Sequence, residues 1–97
     1  MTGCQLRIYS IRPGLLVEFT EFWRSEIVPL RRRFGFEVEG AWSDSETSTF
    51  AWVVCHPDFA AGNAAYYASP DRAGLSRDPG EFIEHAELRL LEPVAPD

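Results

Sequence analysis

Tyr66-Tyr67-Ala68-Ser69-Pro70-Asp71-Arg72 gathers two phenols, a hydroxyl, a helix-stopping proline and a guanidinium at one break in structure. The residue before a proline avoids helical geometry, so a helix running through Tyr66 should end at Ser69. Its entrance is legible too: His56-Pro57-Asp58 places a proline where a first helical turn tolerates it. Before this helix lies an apolar stretch, 49–55, and after it a second extended stretch, 82–91. The segment is therefore the crossover between two strands, and the rest of the chain can be read outward from it.

Residues 49–55 form a strand with Phe50, Trp52 and Val54 on one side and Ala51, Val53 and Cys55 on the other. A polar turn at 43–48 precedes it. Before that, Phe36, Val38, Gly40 and Trp42 alternate with Glu37, Glu39, Ala41 and Ser43, which reads as a strand over 36–43. Leu15, Phe19, Phe22, Trp23, Ile27, Leu30 and Phe34 recur at three- and four-residue steps and predict a helix over 15–34. Pro29 should kink it, because proline lacks the backbone donor. Gly35 supplies the stop. Residues 5–11 alternate Leu6 and Ile8 with Arg7 and Tyr9, a first strand broken by Arg12-Pro13-Gly14. Asp71 to Leu75 suits one further helical turn, 77–80 is loop, and 92–97 is a proline-bearing tail.

The order is β-α-β-β-α-β, an α+β, ferredoxin-like plan with a four-stranded antiparallel sheet and helices on one face. The other face is bare. A half-exposed antiparallel strand should alternate, yet 49–55 is apolar on both sides. Two such sheets packed face to face in a homodimer would bury it.

All 97 residues fit one domain, with an ordered core at about 5–92, and 45% hydrophobic composition is enough for one core. A net charge of −6 argues against a nucleic-acid partner. The run Arg31-Arg32-Arg33 falls near a helix C-terminus, where cations offset the dipole. Met1-Thr2-Gly3-Cys4-Gln5 has no apolar leader core, and no apolar run is long enough for a membrane span. Cys4 and Cys55 have no metal-ligand spacing. We expect reduced thiols in a cytoplasmic protein, with the two cysteines at opposite ends of neighbouring parallel strands and too far apart to bridge.

The ordered set of motifs resembles a NIPSNAP-type domain of the dimeric α/β-barrel group. The matching pieces are Leu6-Arg7-Ile8-Tyr9, Arg12-Pro13-Gly14, Ile27-Val28-Pro29-Leu30, Gly35-Phe36, Phe50-Ala51-Trp52, Leu90-Leu91-Glu92-Pro93 and, above all, Tyr67-Ala68-Ser69-Pro70-Asp71-Arg72. The resemblance spans almost the whole chain. It implies the ferredoxin-like fold and pairing through the sheet more than any reaction. Similar barrels include cofactor-independent monooxygenases and small isomerases, with a pocket in each subunit between sheet and helices.

Tyr9, Trp42, Trp52, Tyr66, Tyr67 and Arg72 are the candidates to line such a pocket. Aromatic walls with polar tips suit a small, flat organic ligand. Arg72 can close over a carboxylate or enolate as a bidentate donor. His85, with Glu87 two positions on, is the candidate general base, giving a catalytic pair His85 and Arg72. His56, at a helix entrance, reads as neutral and capping. No metal site is expected from two distant histidines. The chain carries no phosphate loop, dinucleotide fingerprint or nucleophile elbow, so no cofactor is expected. Two readings stand side by side: a cofactor-independent enzyme, and a non-catalytic dimer that binds a ligand or only assembles.

Overall fold

The computed structural model describes residues 3–96. Its strands are β1 (Gly3–Ile11), β2 (Glu37–Asp44), β3 (Thr49–His56) and β4 (Ile83–Leu91). Its helices are α1 (Leu16–Phe22), α2 (Val28–Arg33), α3 (Phe59–Ala68) and the single turn α4 (Pro70–Ala73). The sheet order is β2-β3-β1-β4 with antiparallel neighbours throughout, which is the ferredoxin-like arrangement. Among the described residues no helix is long and apolar enough to cross a membrane.

The long helix expected over 15–34 is present as α1 and α2, joined by a π turn at Trp23–Ile27. In that turn the Val28 amide donates to the Trp23 carbonyl, one residue further back than an α-helix would reach. Pro29 comes next and has no amide to give. The ladder absorbs that loss with a π bulge. Gly35, at φ +86°, ends α2 in the left-handed region that a Cβ disfavours.

Ser69 sits extended at the end of α3, in keeping with its place ahead of Pro70. It also starts α4: its hydroxyl accepts from the Arg72 amide and caps that turn. A short 3₁₀ turn at Pro79–Glu81, capped by Asp78, stands where the sequence suggested plain loop.

The core lies between sheet and helices. Phe19, fully buried, packs edge-on against Tyr9, Phe50 and Phe82 at ring separations of 5.7, 5.0 and 5.6 Å. Such pairs contribute about 0.5–1.5 kcal/mol each beyond their burial. His56 ties the far end together. Its Nδ1 accepts from the Asp58 amide at 2.9 Å, so Nε2 carries the proton and donates to the Phe34 carbonyl at 3.0 Å. The α3 backbone at Gly62 lies on the same ring, where a Cβ would come within 2.5 Å of Nε2.

The cysteine expectation is overturned. β1 and β3 are antiparallel neighbours, and their register sets Cys4 directly opposite Cys55. The two are joined in a disulfide with Cα atoms 4.0 Å apart. The expected parallel pairing does not occur, because β1 runs antiparallel to both its neighbours.

Candidate functional site

The strand registers decide which side chains can meet. On β1, Arg7 and Tyr9 point under the helices, while Cys4, Leu6 and Ile8 share the open face. Arg7 lies opposite Trp52 on β3 and Tyr9 opposite Phe50. The helices then deliver Ile27 and Arg31 from above, and α3 delivers Tyr66 and Tyr67. These residues, with Arg72, Pro79 and Ile83, surround a cavity of about 50 Å³.

Two guanidiniums are sealed into this site. Arg7 is 8% exposed and Arg31 1%. Arg7 donates from Nε to the Tyr9 hydroxyl at 2.6 Å, and from its terminal nitrogens to Gln5 at 2.5 Å and Tyr67 at 3.0 Å. Arg31 donates to Asn63 at 3.0 Å and to the same Tyr67 oxygen at 3.3 Å. Its Nε is buried without a partner. Its guanidinium lies 3.9 Å from the centre of the Tyr66 ring and 4.7 Å from that of Phe36. The Trp52 indole donates to Tyr9 at 3.1 Å. Each of the two phenol oxygens therefore accepts two N–H groups. Neither phenol donates to an acceptor among the described residues.

Every acceptor around these cations is neutral. Among the described residues the ion pairs engage Arg12, Arg24, Arg77 and Arg89 on the surface. Every described carboxylate side chain is exposed except the half-buried Glu26, which is held by Ser76. Burial pushes the Arg31 guanidinium down; the phenols of Tyr67 and Tyr66 resist and the Arg7 charge adds to the fall. Burial opposes charge on Arg7 too, but the Tyr9 and Tyr67 oxygens outweigh it and the net shift is upward. Burial raises the Tyr66 phenol, with Arg31 and Arg72 pulling against it. Both buried arginines remain cationic at neutral pH, since guanidinium keeps its proton in proteins.

Five of the expected residues meet here: Tyr9, Trp52, Tyr66, Tyr67 and Arg72 all line the cavity. The Arg72 guanidinium stands 5.3 Å from the Tyr67 ring centre, at the half-exposed rim.

Trp42 does not join them. A bulge lies between Val38 and Gly40, so Val38 pairs with Val54 under the helices while Gly40 pairs with Val53 on the open face. One inserted residue reverses every side chain after it. Trp42 is thereby carried to the open face, 61% exposed. Its ring lies along Gly40, where a Cβ would approach to 2.8 Å.

His85 is also on the wrong side for the role expected of it. Ser10 pairs with His85 and Tyr9 with Ala86, so His85 and Glu87 share the open face and the sheet separates them from Arg72. The expected pair His85 and Arg72 is not assembled within the chain.

Arg7 and Arg31 are site residues that the sequence patterns did not single out. Signals existed for both. Arg7 lies two residues from Tyr9, on the same strand face, and Arg31 lies four residues after Ile27 and three before Phe34, within the apolar stripe. Arg32 and Arg33 do behave as exposed helix-end cations.

Fold and site together define a ferredoxin-like domain with a cationic, aromatic-walled cavity between sheet and helices. Solved structures with this fold include NIPSNAP proteins. A NIPSNAP domain protein from Burkholderia xenovorans superposes with a TM-score of 0.83 at 20% identity, covering 98% of this chain and 97% of its own. A NIPSNAP family protein of unknown function from Agrobacterium tumefaciens gives 0.84 at 15% identity, covering 99% and 91%. A protein from Bacteroides thetaiotaomicron, provisionally named as an antibiotic biosynthesis monooxygenase, gives 0.78 at 21% identity, covering 98% and 91%. No protein-family model matches the chain, and no curated protein matches it. At these identities the likeness establishes the fold.

Proposed function

We propose that this chain is a NIPSNAP-type homodimer that binds a small organic ligand, aromatic or enolisable, between sheet and helices. The observation that carries the reading is the cavity itself. Its walls are Tyr9, Trp52, Tyr66 and Tyr67, and its polar tips converge on one small space. Few convergent polar groups on aromatic walls match the lining of a small-molecule site, and at about 50 Å³ the enclosed space takes one end of the ligand while the rest lies at the rim. Tyr9, Trp52, Tyr66, Tyr67 and Arg72 are the ligand-binding residues in this proposal; Trp42 and His85 are not.

The dimer seam is the open sheet face. Leu6, Ile8, Ala51 and Val53 are half-buried there, and Trp42 stands out from it. An apolar sheet face of this kind favours association. A cytoplasmic location loses the support that unpaired cysteines would have lent it.

The enzymatic variant, in which the fold acts like the monooxygenases it resembles, would rest on Arg72 and a phenol polarising the substrate. With His85 across the sheet, the geometry favours binding over that chemistry.

Native mass spectrometry of gently purified protein tests the proposal. A dimer carrying a reproducible small-molecule mass is expected, with Val53→Glu giving folded monomers. A monomeric wild type, or dimers of Val53→Glu, would refute the seam. A wild type that takes up no organic molecule from a metabolite extract would refute the ligand.

A further inference from the structure

The geometry points to a more specific ligand class: the cavity takes the carboxylate head of a small organic acid, gripped by Arg7 and Arg31. This deepens the pocket reading and rests on it. The charge count is the first ground. Two cations are buried side by side, leaning on one phenol oxygen, and among the described residues neither has an anionic partner. Buried charges are ordinarily paired, so the missing partner is an anion from outside the chain.

The donors are the second ground. The Arg31 Nε–H lacks an acceptor in a side chain 1% exposed. The Tyr9 and Tyr67 oxygens already accept two N–H groups each, which leaves their own hydrogens to donate. The cavity thus offers donors and almost no acceptor capacity, which matches an acceptor-only carboxylate. Guanidinium is the planar fork that such a group fits.

Size is the third ground. The space of about 50 Å³ admits a head of a few heavy atoms. A carboxylate meets that limit; a substituted phosphate exceeds it. The body of the acid leaves past the half-exposed rim of Tyr67, Arg72, Pro79 and Ile83, where Arg72 can follow it.

The test is a titration followed by the Trp52 indole N–H resonance, because that group donates to Tyr9 inside the site. Benzoate, its neutral isostere benzamide, acetate and inorganic phosphate serve as probes against wild type, Arg31→Met and Arg31→Lys. Benzoate should saturate the signal and bind at least ten-fold tighter than benzamide. Arg31→Met should weaken benzoate by ten-fold or more and benzamide by a much smaller factor, while Arg31→Lys recovers part of the loss. Equal binding of benzoate and benzamide, indifference of benzoate to Arg31→Met, or preference for phosphate would overturn the carboxylate assignment while the pocket stands. If no organic probe moves the Trp52 resonance, the pocket reading falls with it.

Discussion

Replacing Arg31 by methionine should leave the ligand-free protein about as stable as before, although Arg31 is among the most deeply buried side chains. The change removes hydrogen bonds to Asn63 and Tyr67 and the contact with the Tyr66 face at 3.9 Å. Hydrogen bonds from a charged donor contribute about 1.5–3 kcal/mol each, and a desolvated cation–π contact about 2 kcal/mol. Against this stands the desolvation of the charge, about several kcal/mol. Repulsion from Arg7, whose guanidinium leans on the same Tyr67 oxygen, adds about 3 kcal/mol at an effective dielectric near 20. The unpartnered Nε adds about 1–3 kcal/mol more. The two sides nearly cancel, and methionine refills the space flexibly. The expected change is within about 2 kcal/mol, and at about 4–8 °C per kcal/mol for a domain of this size the melting point should move by under about 16 °C. Urea denaturation in a buffer free of carboxylates and phosphate measures it. A loss well beyond about 3 kcal/mol would refute the reasoning, because the aromatic and amide neighbours would then satisfy the cation without an anion.

Reduction of the Cys4–Cys55 disulfide, which spans 51 residues, should lower stability by about 4 kcal/mol on the chain-entropy estimate; paired urea curves with and without reductant check it, and coincident curves would contradict it. Glu26 accepts from both the amide and the hydroxyl of Ser76, and those bonds hold its carboxyl below the ordinary range. A depressed carboxyl contributes stability that is present above the usual carboxylate pKa and lost as pH falls through the folded value. Amide exchange at Ser76, corrected for intrinsic rates, should therefore rise once the pH falls below the ordinary carboxylate range, and Glu26→Gln should show that faster exchange already at neutral pH.

Element order and most boundaries were legible because periodicity and punctuation agree: the Ser69-Pro70 break, the Gly35 stop and the polar turn at 43–48 lie where expected. Side-chain direction was less legible. Trp42 shares a two-residue period with Val38 in the sequence, but the bulge between them reverses the parity, and Gly40 inside the strand was its one local signal. His85 depended on the pairing of β4 with β1, which is settled by tertiary register. The cysteine pairing is settled in the same way, because the antiparallel register of β1 and β3 sets Cys4 opposite Cys55. Arg31 was hidden because its neighbours Arg32 and Arg33 make a convincing helix-end cluster. Its position on the apolar stripe was the finer signal, and it outweighed composition.

The disulfide also has a topological meaning. It closes residues 4 to 55 into a covalent ring and leaves the segment from His56 onward as a free arm. The cavity is built across that division. Arg7, Tyr9, Ile27, Arg31 and Trp52 belong to the ring, whereas Tyr66, Tyr67, Arg72, Pro79 and Ile83 belong to the arm. Fraying of the arm would strip one wall from the site and leave both buried guanidiniums on the tethered half. Any molecule lodged between the two halves acts as a clasp, and its residence time becomes tied to how often the arm lets go.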